Sequence, residues 1–494
     1  MQNLLTSEQM RSTDAFTIKN KGITSIALME SASLAFAKAF MEEVKDNATS
    51  IAVLSGKGNN GADGLAIARL LKDAGYLNVS VYLILFSSRE TEEYRINLNL
   101  LKSSGLKPTD INAAEQLSAL KDEVIIDAVL GSGLNKALEG NYLELAKLVN
   151  GLNRRVIAVD VPTGFPAEGI LHEDNVYLKA DLVICFQRPK INFFFPESAE
   201  ALKRFQVVDI GLDEEFIQGL DSAYQLIDAS AITDLIKPRK SFSHKGTYGH
   251  ALIVAGQEDT MGAALLASRA CLHGGAGLTT VSIPESGLTA LNASLPEVMY
   301  ISRDKIAELK KFSAVAVGPG LGTDDEGVHL LQHLLQFNLP LIIDADALNI
   351  LAKHPELLQQ VTEGSVLTPH MKEFDHLFGA HSSWWERLQT GREKAVEMKC
   401  VIILKNQYTF TIAQNGDVTI NSTGNPAMAQ GGMGDTLTGL VSSFLAQHYT
   451  AHQAAYIACY LHGKAGDELA TDRISVTASQ LGDQIPRTLK GLIK

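Results

Sequence analysis

Short apolar runs alternate with helical patterns along most of the chain. In the first half, aliphatic and β-branched runs predict buried strands, and stretches with apolar residues at helical spacing separate them. This order is typical of a parallel sheet covered by helices. Residues 7–45 precede the first run and predict two helices. The predicted strands are 51–54, 79–86, 124–127, 156–160 and 182–186.

The second half repeats this rhythm without repeating the sequence. It predicts strands at 251–255, 279–283, 314–317, 341–343, 401–404 and 408–412, with helices near 261–273, 325–337, 433–446 and 450–470. The intervening segment 212–222 is polar and acidic, so we place a domain boundary near residue 221. We therefore predict two three-layer α/β domains, residues 1–221 and 222–494.

Length and composition fit this division. A chain of 494 residues exceeds what one hydrophobic core usually serves, and 46% apolar with 20% charged residues is typical of an ordered globular protein. The net charge of −13 argues against a nucleic-acid or membrane-surface partner, since either needs a basic face. No segment approaches the ~18 apolar residues of a membrane span. Four widely separated cysteines indicate buried thiols in a reducing cytoplasm: Cys185, Cys271, Cys400 and Cys459.

The segment 421–440, NSTGNPAMAQGGMGDTLTGL, combines a glycine cluster, a carboxylate and a helix start. Apolar residues at 437, 440, 441, 444 and 445 predict a helix that begins near Asp435. The first turn of such a helix offers unpaired N–H groups that attract phosphate, and Asp435 could take a proton from a group near that phosphate. An ordinary glycine-rich helix start without a ligand is the alternative.

A second glycine-rich turn, GKGNNGADG at 56–64, follows the apolar run 51–54. It is not a dinucleotide fingerprint, because Asn59, Asn60 and Asp63 add polar side chains that suit a polar ligand or a cation. A purely structural turn is the alternative. Polar groups also follow the next predicted strands, at Asp127 and Asp160. In open α/β sheets the ligand crevice lies at the carboxyl ends of strands, so these clusters could converge.

These motifs carry a resemblance that covers nearly the whole chain. The first half resembles the NAD(P)H-hydrate epimerase family through GKGNNGADG, IIDAVLGSGL at 125–134 and VDVPTG at 159–164. The second half resembles the ADP-dependent NAD(P)H-hydrate dehydratases of the ribokinase-like superfamily. Its motifs are HKGTYG at 244–249, VGPGLG at 317–322, DADALN at 344–349, LTPH at 367–370 and NPAMAQGGMGD at 425–435. Their order is similar to that in bifunctional nicotinamide-nucleotide repair enzymes.

The resemblance implies a Rossmann-like epimerase domain fused to a ribokinase-like dehydratase domain. The substrates would be NADH and NADPH hydrated at C6 of the nicotinamide ring. The first domain would interconvert the R and S epimers, and the second would consume the S form with ADP and return NAD(P)H, AMP and phosphate. We also expect Mg²⁺ with the nucleotide, and a homo-oligomer in the cytoplasm.

In the first domain, the resemblance implies that Asp160 gives acid and base help at the hemiaminal carbon. It also implies a potassium ion on the oxygens of Asn60, Asp127 and Thr163, although Asp127 could instead be a helix-capping or loop carboxylate. The implied substrate contacts are Asn59, Asn60, Gly61, Ala62, Asp63, Gly131, Ser132, Gly133, Leu134, Asn135, Lys136, Ala137 and Asp160.

In the second domain, Asp435 would deprotonate the hydrate's hydroxyl for attack on the terminal phosphoryl of ADP, because hydroxide itself is a poor leaving group. The implied hydrate contacts are Ala263, Gly320, His370, Met371, Lys372, Glu373, Phe374, Asp375, His376 and Asp435. The implied ADP contacts are Lys405, Asn406, Gln407, Tyr408, Thr409, Asn425, Pro426, Ala427, Met428, Ala429, Gln430, Gly431, Gly432, Met433 and Gly434. Lys405 could alternatively be an exposed edge lysine.

The chain departs from the family pattern at a few positions. Ala62 stands where many members carry glycine, and Met371 and Lys372 replace the usual proline and glycine, whereas Glu373 is kept. The departure from the family pattern is therefore greatest at the predicted hydrate contacts 370–376. We interpret the adjacent tryptophans at 384 and 385 as helix packing.

Two other function classes fit parts of the chain. A ribokinase-like domain with a GMGD turn could be a kinase that releases a phosphorylated product, and the first half could be a nucleotide-sensing module without catalysis. The motifs HKGTYG, VGPGLG and LTPH favour the dehydratase, and Asp160 beside VPTG favours a catalytic first domain.

Overall fold

The structure is a computed structural model of the chain, and it describes residues 1–133, 136–306 and 309–493. It divides into two compact units. The N-terminal unit contains Asn3–Asp221 and Ser383–Trp385, and the C-terminal unit contains Met1–Gln2, Ser222–Ser382 and Glu386–Lys494. Each unit is an α/β structure built on its own sheet.

The chain opens with the short strand β1 (Gln2–Asn3), which lies at the edge of the C-terminal unit's sheet. The elements of the N-terminal unit follow: α1 (Ser7–Lys21), α2 (Ser25–Glu43), β2 (Ser50–Ser55), α3 (Asn59–Asp73), β3 (Asn78–Ile84), α4 (Glu92–Ser103), β4 (Thr109–Ile111), β5 (Val124–Ala128), α5 (Gly140–Gly151), β6 (Arg155–Val159), β7 (Leu182–Phe186), β8 (Phe205–Val208) and α6 (Glu214–Gly219).

The N-terminal sheet is parallel throughout and has the strand order β4-β3-β2-β5-β6-β7-β8. Its central strands are apolar on both faces, since β5 and β7 are buried along their whole length. The strand order reverses direction between β2 and β5. The loops after these two strands therefore diverge, and a ligand crevice opens there at the carboxyl edge.

The C-terminal unit contains β9 (Tyr224–Leu226), α7 (Ala229–Leu235), β10 (His250–Val254), α8 (Met261–His273), β11 (Leu278–Ser282), α9 (Leu288–Ser294), β12 (Met299–Tyr300), β13 (Ala314–Val317), α10 (Asp325–Leu335), β14 (Leu341–Ile343), α11 (Asp346–Lys353), α12 (Pro355–Leu358), β15 (Val366–Leu367), α13 (Met371–Phe378), α14 (Trp384–Met398), β16 (Val401–Leu404), β17 (Thr409–Ile412), β18 (Val418–Asn421), α15 (Met433–Ala446), α16 (Ala451–Ala470) and α17 (Ala478–Leu492).

The sheet of this unit has the order β1-β9-β18-β17-β16-β15-β14-β13-β10-β11-β12. The strands from β10 to β16 pair in parallel, and β16, β17 and β18 form antiparallel pairs. Helix α15 lies close to α8 at Gly439. A Cβ atom there would be 2.1 Å from the Ala267 carbonyl oxygen, so the two helices can approach this closely only because residue 439 is glycine. This contact fixes the helix whose first turn carries Asp435.

The sequence predicted the principal elements correctly. Every predicted strand and helix is present, with ends that agree within two residues, and residues 7–45 form α1 and α2 as expected. The missed strands are short or lie at the edges, such as the two-residue β15 and the partly exposed β4. Among the described residues, no single helix could span a membrane; only α1 and α2 together, with a bend of 111°, have that length and composition.

Candidate functional site

A cavity of about 520 Å³ in the N-terminal unit is lined by one face of α1 and by the loops at the strand ends. Ser7, Met10, Arg11 and Asp14 recur at helical spacing, and we call them the helix wall. The sheet wall consists of the lining residues from the strand-end loops and from the first turns of α3. It includes the predicted residues Asn59, Asn60, Asp63, Gly131, Ser132, Gly133 and Asp160, together with Lys190.

Asp160 follows β6 directly and adopts a left-handed backbone with φ 63°. This conformation is costly for a residue with a side chain, and such strain concentrates at functional sites. The Oδ1 atom of Asp160 lies 2.7 Å from Lys190 Nζ and accepts a hydrogen bond from the Phe186 N–H at 3.0 Å. Burial lowers the pKa of Lys190, but the Asp160 carboxylate and the Cys185 sulfur outweigh burial and raise it. Lys190 therefore stays charged beside Asp160.

Two further carboxyl groups face the same cavity. Burial, and after it the Asp160 carboxylate, raise the pKa of Asp14 to about 6, while Lys190 opposes them. Asp63 is more deeply buried, and burial with the nearby Asp160 raises its pKa well above the usual value despite a hydrogen bond from Ser33. The cavity thus combines two carboxyl groups whose pKa is raised with one carboxylate that is paired with a lysine.

The three predicted potassium ligands come from three elements: Asn60 is in the first turn of α3, Asp127 is near the end of β5, and Thr163 is in the loop after β6. Asp127 is fully buried, and its carboxylate accepts from the Thr163 hydroxyl at 2.6 Å and from the Thr163 N–H at 2.7 Å. Asn60 packs against Gly131, and its buried Nδ2 has no hydrogen-bond partner among the described residues. Burial raises the pKa of Asp127 to about 6, although its hydrogen bonds to Thr163 and Val129 oppose this. The hydrogen-bond donors to this buried carboxylate are neutral, so a weakly hydrated cation could supply the compensating charge.

The remaining predicted epimerase residues have different surroundings. Lys136 and Ala137 line a second cavity of about 760 Å³, which shares Ser7, Arg11, Ser132 and Gly133 with the first. Gly61 and Ala62 do not line either cavity and form the packed turn: a Cβ at Gly61 would lie 1.8 Å from the Gly56 carbonyl oxygen, and Ala62 is fully buried. Leu134 and Asn135 lie outside the described residues.

In the C-terminal unit, the glycine-rich turn leads into α15. The helix begins at Met433, as the predicted range 433–446 has it and two residues before the start near Asp435 that the apolar spacing indicated, because Gly432 with φ 87° forms the N-terminal cap. Asp435 therefore lies inside the first turn, where N–H groups point out of the helix end. Burial, followed by the Asp344 carboxylate, raises the pKa of Asp435 to about 6, while Lys405 lowers it.

Asp344, the first residue after β14, is the best-connected group of this site. It is 1% exposed, lies 2.9 Å from Lys405 Nζ, and accepts hydrogen bonds from the Thr368 hydroxyl at 2.6 Å and the Thr438 hydroxyl at 2.7 Å. Burial raises the pKa of Asp344, but Lys405 and the two hydroxyls outweigh burial and hold it below its usual value. Lys405 is therefore bound inside the unit and is not an exposed edge lysine.

A cavity of about 420 Å³ lies between the β16–β17 loop, the glycine-rich turn and α16. The predicted ADP contacts that line it are Lys405, Asn406, Gln407, Thr409, Asn425, Pro426, Met428, Ala429, Met433 and Gly434. Tyr408, Ala427, Gln430, Gly431 and Gly432 belong to the same two segments but are not lining residues. Asn421, Thr423, Gly424, Leu437, Cys459, His462 and Gly463 complete the lining.

The predicted hydrate contacts are only partly brought together. Ala263 and Gly320 share Thr260, whose carbonyl accepts from the Ala263 N–H at 3.1 Å and whose hydroxyl donates to the Gly320 carbonyl at 2.7 Å. Glu373 lies 3.8 Å from Lys405 Nζ and so reaches the Asp344 network. His370 forms the N-terminal cap of α13, on which Met371, Lys372 and His376 are exposed.

Two residues of the same segment have structural contacts. Phe374 is fully buried in the core. Asp375 accepts two hydrogen bonds from Arg387, both at 2.8 Å, and lies 2.9 Å from His381 Nδ1. Their contact with the hydrate stays a prediction.

Comparison with protein-family models matches each half of the chain separately. The model described as "NAD(P)H-hydrate dehydratase" matches residues 251–487, and the model described as "YjeF-related protein N-terminus" matches residues 25–192. A bifunctional NAD(P)H-hydrate repair enzyme of Moorella thermoacetica is 32% identical over 99% of this chain and 97% of its own length. The chain belongs to the bifunctional NAD(P)H-hydrate repair enzyme family.

Other members and solved structures agree with this membership. The repair enzyme of Escherichia coli is 32% identical over 85% of this chain and 80% of its own length. The ADP/ATP-dependent NAD(P)H-hydrate dehydratase of Bacillus subtilis, co-crystallised with ATP and Mg²⁺, is 32% identical with a TM-score of 0.50, over 54% of this chain and 98% of that one. A ribokinase-like protein of Enterococcus faecalis is 27% identical with a TM-score of 0.52, over 56% of this chain and 98% of that one.

Several groups of this family member escaped the sequence reasoning. Lys190 and Asp14 are far in sequence from Asp160, and no motif links them. Asp344 stood in the noted motif DADALN, but its pairing with Lys405 depends on strand order. His462 lies on α16. Its Nε2 atom is 3.1 Å from the Met433 carbonyl oxygen at the start of α15, and burial lowers the pKa of His462 to about 4.

The buried ion pair generates a stability prediction. Lys405→Met should lower the free energy of unfolding of the C-terminal unit by roughly 3 kcal/mol at pH 7, because it leaves the Asp344 charge without its cation. The loss should shrink as the pH is lowered from 7 towards about 4, the usual pKa of an aspartate, because without Lys405 burial raises the pKa of Asp344 and the carboxyl group takes up a proton. Denaturant unfolding of the wild type and the variant, at pH 7 and at the lower pH, measures the difference in the free energy of unfolding.

Lys399→Met is the matched control. Its 3.2 Å pair with Glu363 is exposed, with 64% of each side chain accessible, so the change should stay within about 1 kcal/mol. Equal losses in the two variants would show that Lys405 does not stabilise a buried charge.

Proposed function

We propose that this protein repairs hydrated NADH and NADPH in two steps, one in each unit. The N-terminal unit interconverts the R and S epimers of the hydrate, and the C-terminal unit dehydrates the S form with a nucleotide. The observation that carries the proposal is a pair of separate cavities: one is lined by Asp160 and Lys190, and the other by Lys405 and Gly434, the residue directly before Asp435 in the first turn of α15. The full-length similarity to bifunctional repair enzymes supports the same division.

Dehydration needs a better leaving group than hydroxide. In our proposal Asp435 accepts the proton of the C6 hydroxyl, and the oxygen attacks the terminal phosphoryl of the nucleotide while the bond to the leaving nucleotide breaks. Phosphate then leaves C6, and loss of a proton from C5 restores the double bond. The raised pKa of Asp435, about 6, suits a base that must take up a proton near neutral pH.

The nucleotide is held mainly by backbone groups in this proposal. The N–H groups at the start of α15 face the transferred phosphoryl, and Lys405 adds a positive charge 3.6 Å from the position that a Cβ of Gly434 would occupy. The net charge of −13 gives the protein no general attraction for phosphate, which favours backbone donors at a defined helix end. ADP is the proposed co-substrate, accompanied by Mg²⁺, which supplies further charge neutralisation on the phosphates.

Epimerisation requires only acid and base chemistry at C6. Asp160 is the proposed base, since its strained backbone and its hydrogen bonds from Lys190 and the Phe186 N–H orient the carboxylate. The proposed substrate contacts are the residues of the sheet wall. We also propose that the protein forms a homo-oligomer.

A potassium ion completes the proposal for the N-terminal unit. Asn60, Asp127 and Thr163 would hold it, and its charge would compensate the buried Asp127 carboxylate. The ion would thereby keep the loops after β2, β5 and β6 in place around the substrate. The three residues offer carboxylate, amide and hydroxyl oxygens, which are the ligands that a large monovalent cation takes.

The function is tested by mixing heat-generated hydrate epimers with the protein and a nucleotide. We expect reduced-nicotinamide absorbance to return, with AMP and phosphate as the other products. At equal concentrations, ADP should support a faster initial rate than ATP. Accumulation of a stable phosphorylated hydrate would favour the kinase alternative, and faster turnover with ATP would overturn the assignment of ADP.

Variants of the two carboxylates test the division of labour. Asp435→Asn keeps the shape but cannot accept a proton, so dehydration of pure S hydrate should fall by roughly 10² to 10⁴ while epimerisation survives. Asp160→Asn should lower epimerisation and leave the dehydration of pure S hydrate intact. With that variant an R and S mixture should stall after its S portion is consumed, in assays of minutes corrected for spontaneous epimerisation. Loss of both activities in a folded Asp435→Asn protein would contradict one reaction per unit.

The ion is tested with Asp127→Asn. Replacing sodium by potassium at constant ionic strength should accelerate wild-type epimerisation and raise the melting temperature of the N-terminal unit, because binding stabilises the folded state. Both responses should disappear in Asp127→Asn and persist in the surface control Glu123→Gln. A variant that responds to potassium like the wild type would show that Asp127 does not hold the ion.

A further inference from the structure

Epimerisation at C6 imposes a demand that one carboxylate does not meet. The hydroxyl must leave from one face of the ring and return to the other, so one group has to donate a proton while another accepts one. Asp160 is fixed on the sheet wall of the cavity. A partner is therefore expected on a different element that faces the same space.

Helix α1 presents such a partner. Ser7, Met10, Arg11 and Asp14 occupy positions i, i+3, i+4 and i+7, so one helix face lines the cavity and carries a carboxyl group at its end. The charged or titratable groups that share the cavity with Asp14 are Arg11 on the same helix, Asp63 on α3, and Asp160 and Lys190 on the loops after β6 and β7.

We propose that Asp14 is the second catalytic residue of the epimerase cavity. It donates a proton to the substrate when Asp160 accepts one, and it accepts a proton when Asp160 donates one. The proposal rests on the epimerase function proposed above. Asp14 and Asp160 would form a two-carboxyl pair that acts from the helix wall and the sheet wall.

The hydrogen bonds distinguish Asp14 from the other carboxyl groups. Asp160 Oδ1 is engaged by Lys190 and by the Phe186 N–H, and Asp63 Oδ1 accepts from the Ser33 hydroxyl at 3.3 Å. The carboxyl group of Asp14 makes no hydrogen bond or ion pair with any residue that the structure describes, although Asp14 is only partly exposed. Its carboxyl group is thus available to a ligand in the cavity.

The electrostatic environment agrees with the role of a proton donor. Burial and the Asp160 carboxylate raise the pKa of Asp14 to about 6, so the carboxyl group carries a proton at mildly acidic pH and about a tenth of it is still protonated at pH 7. Asp160, in contrast, is paired with the Lys190 ammonium group at 2.7 Å. Environments that separate the protonation states of two carboxyl groups are how an enzyme assigns one as acid and the other as base.

The proposed step balances without any further reactant. The Asp14 carboxyl group gives its proton to the C6 hydroxyl, the C6–O bond breaks, and the N1 lone pair forms a C6=N1 double bond as water leaves. Water then adds to C6 from the opposite face and gives a proton to Asp160, while the C6=N1 electron pair returns to N1. The reverse direction uses the two groups in exchanged roles, and solvent exchange resets their protons.

The test measures R-to-S and S-to-R conversion by the full chain without nucleotide, with the epimers separated chromatographically and the spontaneous rate subtracted. Asp14→Asn should lower kcat for both directions by roughly 10² or more, with KM changed only a few-fold. Added formate should partly restore Asp14→Ala, because a small carboxylic acid can occupy the vacated space. Glu8→Gln, an exposed carboxylate of the same helix, is the control and should behave like the wild type, as should nucleotide-dependent dehydration of S hydrate in every variant.

The outcomes separate this inference from the proposed function. If the wild type does not interconvert the epimers, the epimerase proposal itself fails. If the wild type is active and Asp14→Asn retains more than a tenth of its kcat, the role of Asp14 is refuted. A large loss in Asp14→Ala that formate does not relieve, together with a lowered melting temperature, would identify Asp14 as structural and would also refute it.

Discussion

Each sheet carries a buried carboxylate at the carboxyl end of a central strand, and the need to compensate that charge shapes the site around it. Asp127 is the second-last residue of β5 and Asp344 follows β14, and both are almost fully buried. An isolated carboxylate in such a position costs far more than the protein could tolerate. The two units meet this constraint differently, and their chemistry follows from the difference.

The C-terminal unit uses its own cation. Lys405 and two hydroxyl groups hold Asp344 ionised, and burial together with that fixed charge raises the pKa of Asp435 to about 6. One buried carboxylate thus prepares the other to take up a proton. In the N-terminal unit, the hydrogen-bond donors to Asp127 among the described residues are all neutral, so the compensating charge has to come from a bound cation or from protonation.

The sequence predicted those parts of this arrangement that depend on local pattern. The strands of both sheets, the helices α8 and α15, and the glycine-rich turns follow from apolar spacing and from glycine positions. The predicted range 433–446 for α15 is correct, whereas the apolar residues alone indicated a start near Asp435, because a left-handed Gly432 can cap a helix without any side-chain signal. Lys190, Asp14 and the Asp344–Lys405 pair depend on which strands and helices become neighbours. Spacing along the chain does not contain that information, so only the folded structure brings these groups together.

The same reasoning explains why the two cavities need different numbers of acidic groups. Phosphoryl transfer moves negative charge onto the nucleotide, so extra carboxylates beside it would oppose the reaction; Asp344 is neutralised by Lys405, and Asp435 remains as the group that accepts a proton. Epimerisation moves only protons and water at one carbon, and no charge accumulates on a phosphate. A cavity with Asp14, Asp63 and Asp160 around a single lysine is therefore compatible with that chemistry, since its carboxyl groups can hold and exchange protons instead of repelling the substrate.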